Sequence, residues 1–567
     1  MADSTAAEIV DLVVANPELY IDQGNLPATA EALRNLFAKS GQFFDRGVPV
    51  RMITSAVEGI PAAVPLTRNF VVIAAHRLCR PMKLKNGRLV EATFPDRVAQ
   101  MYLDMSGEWD LSPLHGVTSS PILSADGSVR IADGYDPETK LWCRGIPKVE
   151  IPDKPSRAEA EAAVKRVREA FRTFPFADAR RCWDSSIGGE VLDLNAAPNR
   201  DESAFYVALS TAVCRASMLL APGFVIFAPE LSGSGSGKGL LVRAICTIAF
   251  GALPRAFTKG DDRTELDKRL AAELIEAHPV LFLDNVNGIA LRSDLLACVL
   301  TERPARVRLL GQSRMVVLNS SAFVVVTGNG LSISGDLARR FIVSELNANC
   351  EDPESRSFPR GFLDQIAKQR TQLLRDVLTI WRWGRQNTGM LKRGKPLGSY
   401  ETWADWCRDP FLTLGCRDPV ERMEHLKVND PRRQRVAELF QIWHEHHGSK
   451  PVKASELAEP VRANVDPQVR GRQYVATFLS KLAGTHAAGF VLTRQEPAGK
   501  WTAATYVLQH APVRNDPHRT DRTDRTDRTD KGNASDPMGP MGPMTSWSLE
   551  DRMDTLSDIP AGGEIEL

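Results

Sequence analysis

The chain has 567 residues, 43% of them apolar and 25% charged, with 71 Lys and Arg against 70 Asp and Glu. That is the make-up of a soluble globular protein of about three or four domains, and a net charge of +1 leaves any nucleic-acid contact to a local basic patch. Nine scattered cysteines without a C-x-x-C pair argue against a disulfide framework or zinc site. With no long apolar run and no basic-then-apolar leader, a cytoplasmic chain with no membrane partner is expected.

Residues 1–147 read as a mixed α+β region. Two helices are expected before residue 41, the second starting at Asn25-Leu26-Pro27 and stopping at Gly41, followed by a hairpin over FFDRGVPVRMI. Turn signals at Asp126-Gly127 and Asp136-Pro137 separate β-prone runs; turn chemistry accounts for Asp126, and nothing in the sequence partners His115. Residues 148–222 hold a Pro- and charge-rich linker (Lys148 to Arg157) and two helices, one with Ala163, Val164, Val167, Ala170 and Phe171 on a single stripe.

Residues 223–350 carry the chemistry. The apolar run Phe224 to Phe227 ends in a loop with Gly233, Gly235, Ser236, Gly237, Lys238 and Gly239, and an apolar helix follows. Strand, glycine-rich loop, Lys and helix form a recipe for a nucleoside triphosphate. Glycines turn backbone N–H groups toward the phosphates, the helix N-terminus adds its dipole, and the Lys reaches the outer phosphates. Two positions depart from G-x-x-x-x-G-K-[ST]: Ser232 stands for the first Gly, and Gly239 for the hydroxyl residue that would help hold Mg2+.

About 45 residues on, the buried run Val280 to Leu283 ends in Asp284, a carboxylate placed for the Mg2+ side of ATP. Asn285 stands where many ATPases have a water-polarising Glu; Asp262 or Glu265 are alternative carboxylates. A hairpin over VRLLGQSRMVVL carries Arg306, Arg308 and Arg314. The strand SAFVVVTGNG ends in Thr327 and Asn329, and GDLARRF offers Asp336, Arg339 and Arg340.

The order GSGSGKG, VLFLDNVNG, RVRLLGQSRMVVL, VVVTGNG, GDLARRF resembles the superfamily 3 helicase-type ATPases of phages, plasmids and integrative elements, including the ATPase half of phage primase-helicases. The resemblance is densest from Gly223 to about Leu346. It implies a P-loop, AAA+-like α/β core in a ring, hexameric in this family, with ATP and Mg2+ as cofactors. Lys238 would contact the phosphates, Asp284 the metal and Asn329 the γ-phosphate side. Arg339 or Arg340 would reach the nucleotide of the next subunit, and Arg306, Arg308 and Arg314 would grip single-stranded DNA in the pore.

Residues 351–430 read as a helical subdomain whose Trp381, Trp383, Trp403 and Trp406 have the spacing of a core rather than of base-stacking side chains. Residues 431–510 read as three helices and a hairpin, the winged-helix order, with 11 Lys and Arg against 6 Asp and Glu. Arg470, Arg472 and Lys481 are expected on its recognition helix, facing double-stranded DNA. His444, His446 and His447 lack further metal ligands and read as a solvated helix end. Residues 511–567, with four Arg-Thr-Asp repeats, read as a disordered low-complexity tail.

Two functions follow. The first is a ring-forming ATP-dependent DNA helicase or translocase of a mobile element, with any primase activity on a separate chain. The second is an ATP-binding DNA regulator or scaffold with slow or no hydrolysis, favoured by Gly239 and Asn285.

Overall fold

The computed structural model describes residues 16–54, 59–230, 233, 235–258, 260, 263–287, 291–308, 314–331, 333, 335–350, 353, 361–423, 431–495 and 503–511. The first expected helix, Ser232, Asp262, the hairpin turn at 309–313, the turn at Ala498-Gly499 and the tail from residue 512 lie outside them. The fold is mixed α/β and falls into two compact units, Met1–Glu424 and His425–Leu567.

The centre of the first unit is a five-stranded parallel sheet. Its order is Ala256–Phe257, Val280–Leu283, Phe323–Asn329, Gly223–Ala228, Phe341–Glu345. The last four strands are covered on both faces, which is why they read as apolar runs without alternation. The helix Lys238–Phe250 follows the first of them in the chain, and Arg200–Cys214 packs beside it, buried from Asp201 to Cys214. Helices Phe362–Lys368 and Arg370–Gln386 join the same core. Trp381, Trp383, Trp403 and Trp406 are all buried, and the Trp403 indole N–H donates to Thr211 Oγ1 at 2.8 Å, so none offers a face to a base. A hairpin at Arg181–Asp184 and Gly189–Leu192 was not expected from the sequence.

The N-terminal part has the helix Leu26–Ser40 where the caps placed it, with the Asn25 side chain at its start and Gly41 left-handed at its end. Strands Phe43–Asp45 and Pro49–Thr54 pair antiparallel as the expected hairpin. This part is fastened to the sheet domain by Arg46. The residue is 3% exposed, and its guanidinium donates to five backbone carbonyls: Leu274 and Ile275 at the C-terminus of helix Arg263–Ile275, Leu114, His115 and Asn319. A cation at a helix C-terminus also meets the negative end of the dipole. Burial pushes its pKa down to about 9, with Arg303 nearby adding to the shift, and the group stays charged at neutral pH.

The second unit runs helix Pro431–His447, strand Val452–Lys453, helix Glu459–Val465, helix Arg472–Leu482, then strands His486–Ala487, Phe490–Gln495 and Thr505–His510. Val452–Lys453 pairs with Thr505–His510, so the segment expected to open the second helix is a strand, and that helix starts later. Arg470 also departs from expectation. It precedes the third helix, because Val469 and Gly471 take left-handed φ of 54° and 105° and break the helical path.

Arg46→Met keeps the stem and removes every donor. Because it orphans buried carbonyls, we expect it to destabilise the first unit by about 2–4 kcal/mol in chemical denaturation. A loss below about 0.5 kcal/mol, the range of an ordinary surface change, would contradict this role.

Candidate functional site

Three adjacent strands of the parallel sheet end on one edge, where open α/β sheets hold their ligands. Gly223–Ala228 leads into the glycine loop, Val280–Leu283 into Asp284, and Phe323–Asn329 ends in Asn329. The loop is shaped by close approach. A Cβ on Gly233 would lie 2.2 Å from the Pro229 carbonyl oxygen and 2.8 Å from Asn329 Oδ1, so only glycine fits. Gly237, at φ 96°, caps the helix that begins at Lys238, and Gly235 lies in the same turn at φ 70°.

The Lys238 ammonium ties these parts together. It donates to Gly233 O at 2.7 Å, to Asn329 Oδ1 at 2.6 Å and to Ser236 Oγ at 3.2 Å, while Ser236 Oγ donates to Gly233 O at 2.9 Å. Burial pushes the Lys238 pKa down, and the nearby Asp284 carboxylate opposes that shift. Asp284 is half-buried and accepts a hydrogen bond from the Thr327 hydroxyl. Asn285 is exposed with φ 62°; its N–H donates to Thr327 Oγ1 at 3.2 Å and its Oδ1 accepts from Asn287 Nδ2 at 2.7 Å. Asn287 Oδ1 in turn accepts the Asn329 N–H at 2.7 Å. The loop, the acid strand and the Asn329 strand thus form one hydrogen-bonded network.

Three members of this neighbourhood were not singled out in the sequence. Asn287 lacked a motif to mark it. Glu230 stands beside Asn329's neighbour: a Cβ on Gly330 would lie 3.1 Å from its carboxyl carbon. Arg243, one turn beyond Gly239, brings its guanidinium to the Asp284 side of the loop. Of the alternative acids, Glu265 pairs with Lys268 and Arg269 of its own helix.

The described residues do not fit a Mg2+ held between a loop hydroxyl and an acid. Position 239 has no side chain to supply the hydroxyl, and a Cβ there would lie 2.7 Å from Nη1 of Arg243, so a cation borders the space that Asp284 Oδ2 faces. A metal beside Asp284 would meet the Arg243 cation in place of a loop hydroxyl.

Arg339 and Arg340 lie elsewhere. Arg340 O accepts from Gly223 N at 2.9 Å, at the opposite end of the sheet. The six-residue strand between puts them about 17 Å from the loop of their own chain. In the hairpin Ala305–Arg308 and Met315–Leu318, burial alternates, and Arg306, Arg308, Met315 and Val317 form the exposed face. Arg314 is placed differently. It donates to Gly47 O at 3.2 Å, and its guanidinium lies 5.6 Å from the Trp109 ring centre. It lines a cavity of about 290 Å³ with Asp45, Arg46 and His115. Burial and the cations of Arg303, Lys140 and Arg46 push the His115 pKa down to about 4, so the imidazole is neutral at pH 7.

In the second unit, Arg472 opens the third helix and Lys481 lies near its end. Arg470 donates to Gln468 Oε1 at 2.9 Å and stacks 4.9 Å from the Tyr474 ring centre. His447 Nε2 accepts the Ala458 N–H, and no cluster of potential metal ligands occurs among the described residues. No helix there is long and apolar enough to cross a membrane.

No family model and no curated protein matches the chain. Among solved structures, the A-form apo C-terminal region of NrS-1 matches over 84% of this chain and 98% of its own, at 10% identity and a TM-score of 0.31. The JCV helicase matches over 40% of this chain and 59% of its own, at 15% identity and a TM-score of 0.20. At these values the likenesses carry no functional argument, which rests instead on the geometry above.

Gly233→Ala should push the loop off the Pro229 carbonyl and misplace Lys238. We expect at least tenfold weaker binding of a fluorescent ATP analogue, with the circular dichroism spectrum unchanged. Binding equal to the parent would show that this close approach does not shape the site.

Proposed function

We propose that this chain is an ATP-dependent DNA translocase of the helicase type, a ring-forming replication protein of a phage, plasmid or integrative element. The observation that carries the reading is the Lys238 ammonium, held by the glycine loop and by Asn329 at the end of the neighbouring strand. Such a cation, facing three strand ends and a helix N-terminus, suits the outer phosphates of a nucleotide. The Asn329 amide sits where it would sense the terminal phosphate, and Lys238 would exchange that amide for phosphate oxygens on binding.

The placement of Arg339 and Arg340 favours a ring. About 17 Å from the loop of their own chain, they would serve the nucleotide of a neighbouring copy. The exposed hairpin face, with Arg306 and Arg308 beside Met315 and Val317, supplies cations for a single-stranded backbone and apolar surface for its bases. Arg314, turned toward Trp109, would set the hairpin's position rather than touch DNA. In the second unit, a helix, a strand, two helices and three strands suit a winged-helix reading, with Arg472 and Lys481 on the third helix for duplex phosphates.

A second reading, a nucleotide-binding DNA regulator with little turnover, is favoured by Asn285. It offers an amide where a water-polarising acid would serve, and Asp284 is the one carboxylate bonded into the network among the described residues. One assay separates the two. The purified chain should hydrolyse ATP, faster with single-stranded DNA, and Lys238→Ala should lower turnover by about 100-fold. The Arg306→Ala/Arg308→Ala pair should abolish the stimulation and keep the DNA-free rate. Nucleotide binding without turnover would sink the translocase and leave the regulator standing.

A further inference from the structure

Gly239 is the position at which a triphosphate loop ordinarily presents a hydroxyl. A Cβ built there would lie 2.7 Å from Nη1 of Arg243, 3.8 Å from its Cζ, and 4.0 Å from Asp284 Oδ2. The space for a side chain at 239 is therefore filled by a guanidinium from one turn further along the same helix, as i and i+4 neighbours stack on one face. Arg243 is held in that register by its flanks, since Val242 and Ala244 are both fully buried. The cationic tip stands at the helix N-terminus, beside the space at position 239 that Asp284 Oδ2 also borders. Lys238 approaches the same ligand space from the Asn329 side.

We propose that Arg243 is a direct phosphate ligand of the bound nucleotide, and that Gly239 is the space made for it. The proposal rests on the nucleotide reading above. A guanidinium offers a planar fork of N–H donors that pairs with two phosphate oxygens, and it carries its charge at every working pH. Placed beside Asp284, it supplies positive charge on the side of the loop where a hydroxyl-held cation would otherwise stand. Nucleotide binding by this chain then depends on Arg243 and only weakly on a divalent cation. Asp284, fixed by the Thr327 hydroxyl, borders the same space at position 239 and balances the charge of the guanidinium there.

The test is binding of a fluorescent ATP analogue to the full chain, in Mg2+ and in EDTA, for the parent, Arg243→Met, Arg243→Lys, Gly239→Ser and Lys238→Ala. Thermal melting of each variant checks the fold. The parent should lose less than about threefold in affinity in EDTA, and Arg243→Met at least about tenfold relative to the parent in the same buffer. Arg243→Lys should recover part of that loss. Gly239→Ser, which crowds the guanidinium, should acquire an EDTA penalty of about tenfold or more. A tenfold loss by the parent in EDTA overturns the proposal, and so does an Arg243→Met variant that binds like the parent. If the parent binds in neither buffer, or Lys238→Ala binds as tightly as the parent, the nucleotide reading itself fails and takes this proposal with it.

Discussion

The site depends on one ammonium group. Lys238 Nζ reaches a loop carbonyl on one side and the Asn329 amide on the other, joining two strands that are neighbours in the sheet and about ninety residues apart in sequence. That cation is partly desolvated and bonded to neutral oxygens, with the Asp284 carboxylate nearby. A phosphate would give it charged acceptors, adding ion-pair attraction to bonds whose donor already carries charge. The geometry thus favours exchange of the Asn329 contact for a ligand contact. It also gives the ligand a way to act on the strand end that continues through Gly330 toward the helix before Arg339 and Arg340.

A second constraint frames the first. Arg46 gathers carbonyls from the N-terminal part, from the end of helix Arg263–Ile275, and from the residue after the hairpin. Backbone bonding between Ala63 and Glu276 reinforces the same junction. The hairpin's register against the N-terminal part is then set by Val316, packed against Gly47, and by Arg314 over Trp109. The N-terminal part reads less as an independent module than as a brace for the hairpin and the helix beside it.

Much of this was legible in the sequence. Four strands of the sheet are covered on both faces, so they appear as apolar runs, and the loop and helix follow with recognisable chemistry. The Asn25 and Gly41 caps marked a helix to within a residue. The failures have physical causes. The edge strand Ala256–Phe257 and the strand Val452–Lys453 are two residues each, too short for any periodicity. Arg470 belonged to a helix by spacing, but two left-handed residues divert the chain. Arg46 is a buried arginine bonded only to carbonyls, and backbone partners leave no trace in a sequence. Arg243 is the one charged residue after Lys238 in an apolar helix, and nothing in that pattern marks it. Its meaning comes from the missing side chain at Gly239, a relation across one helical turn that the loop pattern does not encode.

The measurement closest to the central claim is hydrogen–deuterium exchange of the full chain with and without ATP. The account predicts slowed exchange in two separate peptides, one covering Gly235 to Leu241 and one covering Thr327 to Leu331. The exposed hairpin strands should change only when single-stranded DNA is added. Protection by ATP that spared both peptides, or appeared only in the residues after 431, would contradict a nucleotide site built around Lys238.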